Sequence, residues 1–296
     1  ILVEQCKLQL DDPVEKYIPA FEKVKVYRSE SESGPPVVKP TIRQLLMHTG
    51  GVSGGFDISP VGKIFTQTLR EKKPQTLKAL FETIATLPLA AQPGEAWIYS
   101  YSTDMLAYVI EVVSGQKIED FLKENVFKPL KMEDTGFEVP QEKIGRFAAL
   151  YKTNEAGQLE LAESPEESPY VTGGYFPRGN AGLVSTVPDY LRFARMLANE
   201  GELEGQRILQ KETVMLMTQN LLPKHLTPIS VNGMKLEGQG FGLGFGVLLE
   251  APPYGQQGDY YWPGDHFTYF LIRTETKAIG IFMSPLNDRT KMPLLL

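Results

Sequence analysis

A single cysteine, Cys6, among 296 residues excludes an intramolecular disulfide and any metal site built from several cysteines. Histidine is almost as scarce. His48, His225 and His266 stand far apart, and no HExxH-type spacing is present. No metal and no cofactor is therefore expected. No apolar run approaches the roughly 20 residues that cross a bilayer as a helix, so a transmembrane segment is not expected. Dense blocks of Lys and Arg are also missing, which argues against a nucleic-acid partner. What is present is ample apolar material: 42% hydrophobic residues, with 15 Phe and 13 Tyr, against a mild net charge of −6. That suffices for one large domain or two ordinary ones.

The first ten residues read as the tail of an apolar helix, stopped by Asp11-Asp12-Pro13. Thr41 to His48 reads as a short helix with Ile42, Leu45 and Leu46 on one face, followed by a glycine-rich loop from Gly50 to Gly55. Leu77, Leu80, Phe81 and Ile84 recur at helical spacing. A second helix begins at Ser102 or Thr103 as cap, buries Met105, Leu106, Val109, Ile110 and Val113, and ends at Ser114-Gly115. Lys117 to Phe127 is a third. A fourth opens at Thr186-Val187-Pro188-Asp189, with Leu191, Ala194 and Leu197 inward and Gly201 beyond its end. The last third changes character. Phe241 to Leu249 reads as a strand, and Thr268 to Arg273 with Ala278 to Ser284 as an antiparallel hairpin. The pattern predicts a mainly helical lobe over residues 1–170. Residues 171–296 should complete that lobe and add the strands of an antiparallel sheet.

Two literal motif matches fail on context. Gly51-Val52-Ser53-Gly54-Gly55 spells GxSxG, but a nucleophile elbow needs a strand before it and a helix after it. Here a helix precedes, and Ile58-Ser59-Pro60 follows as loop. Ser114-Gly115-Gln116-Lys117 spells SxxK, yet a glycine directly after the serine marks a helix end, where serine and lysine cannot share a face.

The order of several segments carries more. LVEQCKLQLDDPV (residues 2–14) is followed by TIRQLLMHTGG (41–51), Pro93-Gly94, WIYSYS (97–102), AGLVST (181–186), FGLGFG (241–246) and Trp262-Pro263-Gly264. This series resembles the penicillin-recognising serine hydrolase superfamily, in its class C β-lactamase and family VIII carboxylesterase branch, from Ile1 to about Leu286. The resemblance implies an α/β (α+β) fold of the β-lactamase/transpeptidase type, an antiparallel sheet flanked by helices beside an all-helical lobe. It also implies that the catalytic serine and lysine of an SxxK motif lie about three helical turns before Ile1.

Under this resemblance Tyr99 carries the second motif and shuttles protons. A protonated lysine beside it would lower its pKa. Tyr101 stands where β-lactamases often carry asparagine. Trp262 replaces the lysine of KTG, removing a cation that would hold a substrate carboxylate and offering an apolar wall. Gly264 completes the motif, and the N–H of Asp265 would supply half of an oxyanion hole. Tyr175, Arg178 and His266 are further substrate-binding candidates, while His48 is expected to fix its loop. The implied activity is acyl-enzyme hydrolysis of a small ester or amide. A D-amino-acid peptidase or β-lactamase is the alternative, and a non-catalytic binding protein that keeps the cleft is the rival from another class. The location implied is soluble, in a bacterial cytoplasm or periplasm.

Overall fold

Ile1 to Gln5 form one helical turn, closed by a Schellman arrangement. Lys7 N–H donates to Leu2 O (3.0 Å) and Cys6 N–H to Val3 O (2.9 Å), around Cys6 at φ 56°. The left-handed Cys6 ends the turn, so the expected helix tail stops five residues short of Leu10. The computed structural model describes residues 1–55, 59–231, 233–253 and 255–288.

The helical lobe is built from α1 (Ile42–Leu46), α2 (Pro60–Lys72), α3 (Leu77–Ile84), α4 (Ser102–Ser114) and α5 (Ile118–Leu122). Their starts follow local chemistry. Thr41 and Gln44 make a reciprocal capping box on α1, and Thr76 caps α3 through Ala79 N–H. α2 was not singled out by the pattern. Ser59 accepts from Gly62 N–H and Pro60 opens the helix, so a helix does follow the GxSxG match, with Ile58 outside the described residues. α4 starts at Ser102 behind Tyr101, which makes no side-chain cap, and ends at Gly115 at φ 71°. The expected third helix is α5 running into a wider π turn, Lys123–Phe127. The lobe's core joins Val14, Phe21, Ile42, Leu45, Phe65, Phe81 and Met105.

After the short α6 (Pro169–Thr172) comes α7 (Val187–Ala198), capped by Thr186 through Asp189 N–H, and then α8 (Lys211–Thr218). α7 buries Ala194, Met196 and Leu197 against the sheet. Leu191, expected inward, is exposed, because the 3.6-residue period sets it with Val187 and Arg195 on the outer face.

The five-stranded sheet is an antiparallel meander of β1 (Gln239–Phe241), β2 (Gly246–Leu248), β3 (Tyr260–Gly264), β4 (Thr268–Ile272) and β5 (Ile279–Phe282), in that spatial order. The run read as one strand is thus two. Gly242 N–H donates to Phe245 O (2.8 Å) across a turn holding Gly244 at φ 96°, and Gly246 pairs back onto Phe241. The β4–β5 hairpin is as expected, with Ile272 opposite Ile279. Tyr260, Phe270 and Ile272 pack in one core with Ala194, Met196 and Leu197 of α7, apart from the core of the helical lobe.

Candidate active site

Register creates the site. β3 pairs with β4 along its whole length, Tyr260 opposite Ile272 to Gly264 opposite Thr268. On its other side β2 pairs only with Tyr260 and Tyr261. Trp262 to Gly264 therefore run past the end of β2, leaving main-chain groups on an open edge. Pro263, which lacks an N–H, is tolerated beside such an edge. Asp265, His266 and Phe267 form the β3–β4 turn, with Phe267 at φ 58°. Asp265 is exposed at the first position of that turn, and His266 is half-buried at its middle.

Tyr99 meets Trp262 here. Their ring centroids lie 5.4 Å apart, and Phe241 packs edge-on against Trp262 at 5.1 Å. Trp97 joins at 6.3 Å from Tyr99 and 6.4 Å from Trp262. The wall expected from Trp262 alone is thus a four-ring surface supplied by a loop of the helical lobe and by two strands.

His48 holds the Tyr99 loop. Its carbonyl accepts from Ile98 N–H (2.9 Å), its Nδ1 faces Ser100 Oγ at 3.4 Å, and its ring lies 4.9 Å from Tyr99. Only 2% exposed, it is pushed down to a pKa of about 3 by burial, so it is neutral and takes no proton at ordinary pH. Ser100 Oγ in turn lies 2.8 Å from Ser102 Oγ, tying the loop to the start of α4.

In this chain the Tyr99 phenol is raised above its ordinary pKa. Burial raises its pKa first, the negative fields of Asp104 and Asp265 raise it further, and a hydrogen bond with Trp262 opposes them. The lowering expected from a lysine needs a cation beside the phenol, and among the described residues no cation contributes to its shift.

A second group of candidates meets around a residue that the sequence reading passed over. Asp104, in the first turn of α4, is fully buried. Its Oδ1 accepts from Arg178 Nε (3.3 Å), Gly179 N–H (2.9 Å) and Asn180 N–H (3.1 Å), and its Oδ2 from Arg178 Nη2 (2.9 Å). The Arg178 guanidinium lies over the Tyr101 ring at 5.3 Å. Gly179 permits this approach, because a Cβ there would lie 2.0 Å from Thr103 O. Tyr175 packs against Tyr170 with tilted rings 5.0 Å apart, and burial pushes its pKa up to about 12. In the sequence Asp104 offers only the weak signal of an acid in a helix's first turn.

Neither literal motif match acquires a nucleophile's geometry. Ser53 is fully buried, its Oγ accepting from Gly55 N–H. Ser114 donates to Ile110 O (2.6 Å) as the last residue of α4. A cleft of about 610 Å³ lies between residues 119–147 and 177–186 and includes none of the candidates. Among the described residues there is no cluster suited to a metal ion, and no helix is long and apolar enough to cross a membrane.

Comparison with known proteins bears on the family and the fold. An uncharacterized protein of Mycobacterium tuberculosis is 33% identical over 95% of this chain and 72% of its own length. Esterase EstB of Burkholderia gladioli is 29% identical over 68% of this chain and 54% of its own length. The structure of EstCE1, described as a hydrolase with promiscuous acyltransferase activity, superposes with a TM-score of 0.80 at 23% identity, covering 99% of this chain and 78% of that one. That likeness gives the fold, which is of the β-lactamase/transpeptidase type. The Beta-lactamase family model matches residues 1–293, and the chain belongs to that family, within the penicillin-recognising serine hydrolases.

Proposed function

We propose that the intact protein is a serine hydrolase working through an acyl-enzyme on small, neutral esters. The observation that carries the reading is Trp262 at the third-motif position, packed against Tyr99, Trp97 and Phe241 beside the open edge of β3. An aromatic surface favours an apolar acyl or alcohol group, and it presents no cation to a substrate carboxylate. The open edge would align the substrate main chain or carbonyl. The Asp265 N–H, at its end, would give one of two oxyanion donors.

Tyr99 is the proton carrier in this scheme. A serine hydroxyl attacks the ester carbonyl, its proton passes through the Tyr99 oxygen, and the same proton returns to the departing alkoxide. Burial first, and then the carboxylates of Asp104 and Asp265, make the phenol reluctant to ionise alone. The same negative field favours a protonated lysine beside Tyr99, which is the pairing the family's first motif supplies. The naming of a relative as an esterase supports this choice over a lactamase.

The test is turnover by the intact protein of p-nitrophenyl butyrate against nitrocefin. Ester turnover with negligible nitrocefin turnover is the expected result. The reverse preference would favour a β-lactamase, and no turnover of either would favour a cleft that only binds.

A further inference from the structure

Asp104 and Arg178 form a pair whose two members differ sharply in exposure. The carboxylate is fully enclosed, whereas the guanidinium keeps 23% of its side chain exposed and lies over Tyr101, 6.0 Å from the Phe176 ring. Four donors converge on the carboxylate, two from the guanidinium fork and two from consecutive main-chain N–H groups. The chain is built for this junction, since Gly179 admits no side chain against Thr103 O. The loop that carries Arg178 also carries Tyr175, and α4, which carries Asp104, follows directly from the Tyr99–Tyr101 loop.

Charge around the three tyrosines has a simple layout. The charged side chains whose fields act on Tyr99, Tyr101 and Tyr175 are Asp104, Asp265 and Arg178. Arg178 is the cation of that set. A free guanidinium beside Tyr101 would recruit acyl groups ending in a carboxylate; a guanidinium already holding two bonds to a buried carboxylate is neutralised and fixed in place.

We infer that Asp104 is a specificity-determining positioning residue: by pinning Arg178 and the Gly179–Asn180 main chain, it withholds the cation beside Tyr101 from substrate and selects neutral over anionic acyl groups. This rests on the esterase reading above for its substrate class, though the pinning itself does not.

The experiment compares p-nitrophenyl butyrate with the mono-p-nitrophenyl ester of glutaric acid on wild type, Asp104→Asn, and Asp104→Asn combined with Arg178→Met. The asparagine keeps an acceptor for the two N–H groups but releases the guanidinium. The ratio of kcat/KM for the anionic over the neutral ester should rise about tenfold in Asp104→Asn, mainly through a lower KM for the anionic ester. It should fall back in the double variant. A ratio within twofold of wild type, or equal losses on both esters, would overturn the inference. Should Asp104→Asn fail to fold, Arg178→Lys replaces it, because the ammonium keeps the charge without the fork; the ratio should move the same way, and an unchanged ratio would overturn the inference. If wild type turns over neither ester, the esterase reading falls, and hydrogen exchange then decides the pinning. Amides of Gly179 and Asn180 exchanging at least about tenfold faster in Asp104→Ala support it, and unchanged exchange overturns it.

Discussion

His48 should make the fold acid-sensitive in a window set by its burial. Its unfolded pKa lies near 6.5 and its folded value is about 3. A group whose folded pKa is depressed takes up a proton on unfolding, so acid favours the unfolded chain. The loss begins as pH falls below about 6.5, grows by about 1.4 kcal/mol per pH unit, and levels off near pH 3 at about 5 kcal/mol. At pH 5 the cost is about 2 kcal/mol. The perturbation is His48→Asn, which removes the titration and suits the left-handed backbone at φ 55°. It also loses packing against Trp97, Tyr99 and Phe241, at ring separations of 5.8, 4.9 and 5.6 Å, but that cost does not depend on pH. Urea unfolding of both proteins at pH 8 and pH 5 isolates the effect. Wild type should lose about 2 kcal/mol more than the variant between the two pH values. Asp12 and Asp134, each lowered to about 2, titrate identically in both proteins and cancel. Parallel losses would refute the claim that His48 is held neutral by burial.

Tyr99→Phe should lower kcat on p-nitrophenyl butyrate by about a hundredfold or more with little change in KM, and full activity would remove Tyr99 from proton transfer. Trp262→Lys should weaken turnover of that ester and improve substrates bearing a carboxylate, read as the ratio of their kcat/KM values; an unchanged ratio would discount the aromatic wall. Gly179→Ala should lower Tm, because the added Cβ overlaps Thr103 O at 2.0 Å; destabilisation of about 1–3 kcal/mol by urea titration is expected. Tyr99 should resist ionisation in this chain, and ultraviolet difference titration should show its phenolate forming above the usual pH of about 10.

Much of the molecule was legible in one dimension because its signals are local. The apolar face of the helix from Thr41, the Thr186 start with Pro188 behind it, and Gly115 after α4 are each short-range signals. The β4–β5 hairpin was readable for the same reason. Where local rules compete, the reading slipped. Phe241 to Leu249 has the apolar content of one strand, but its glycines allow a turn, and only pairing of Gly246 with Phe241 decides between them. Leu191 looked inward by hydropathy, although the contact between α7 and the sheet turned it outward.

The sequence by itself determined which residues could take part: Tyr99 in its motif, Trp262 where a lysine would stand, and two serines disqualified by the helix ends and glycines around them. Those are matters of residue type and near neighbours. Tertiary structure decided what each of them feels. It set Trp262 beyond the end of β2, closed three rings, His48, Trp97 and Trp262, around Tyr99, and left that phenol harder to ionise. It also enclosed Asp104, separated from Arg178 by 74 residues in sequence, so that an unremarkable acid became the anchor of the Arg178–Asn180 loop. Burial, register and electric field arise from chain segments brought together across such distances, and no local pattern encodes them.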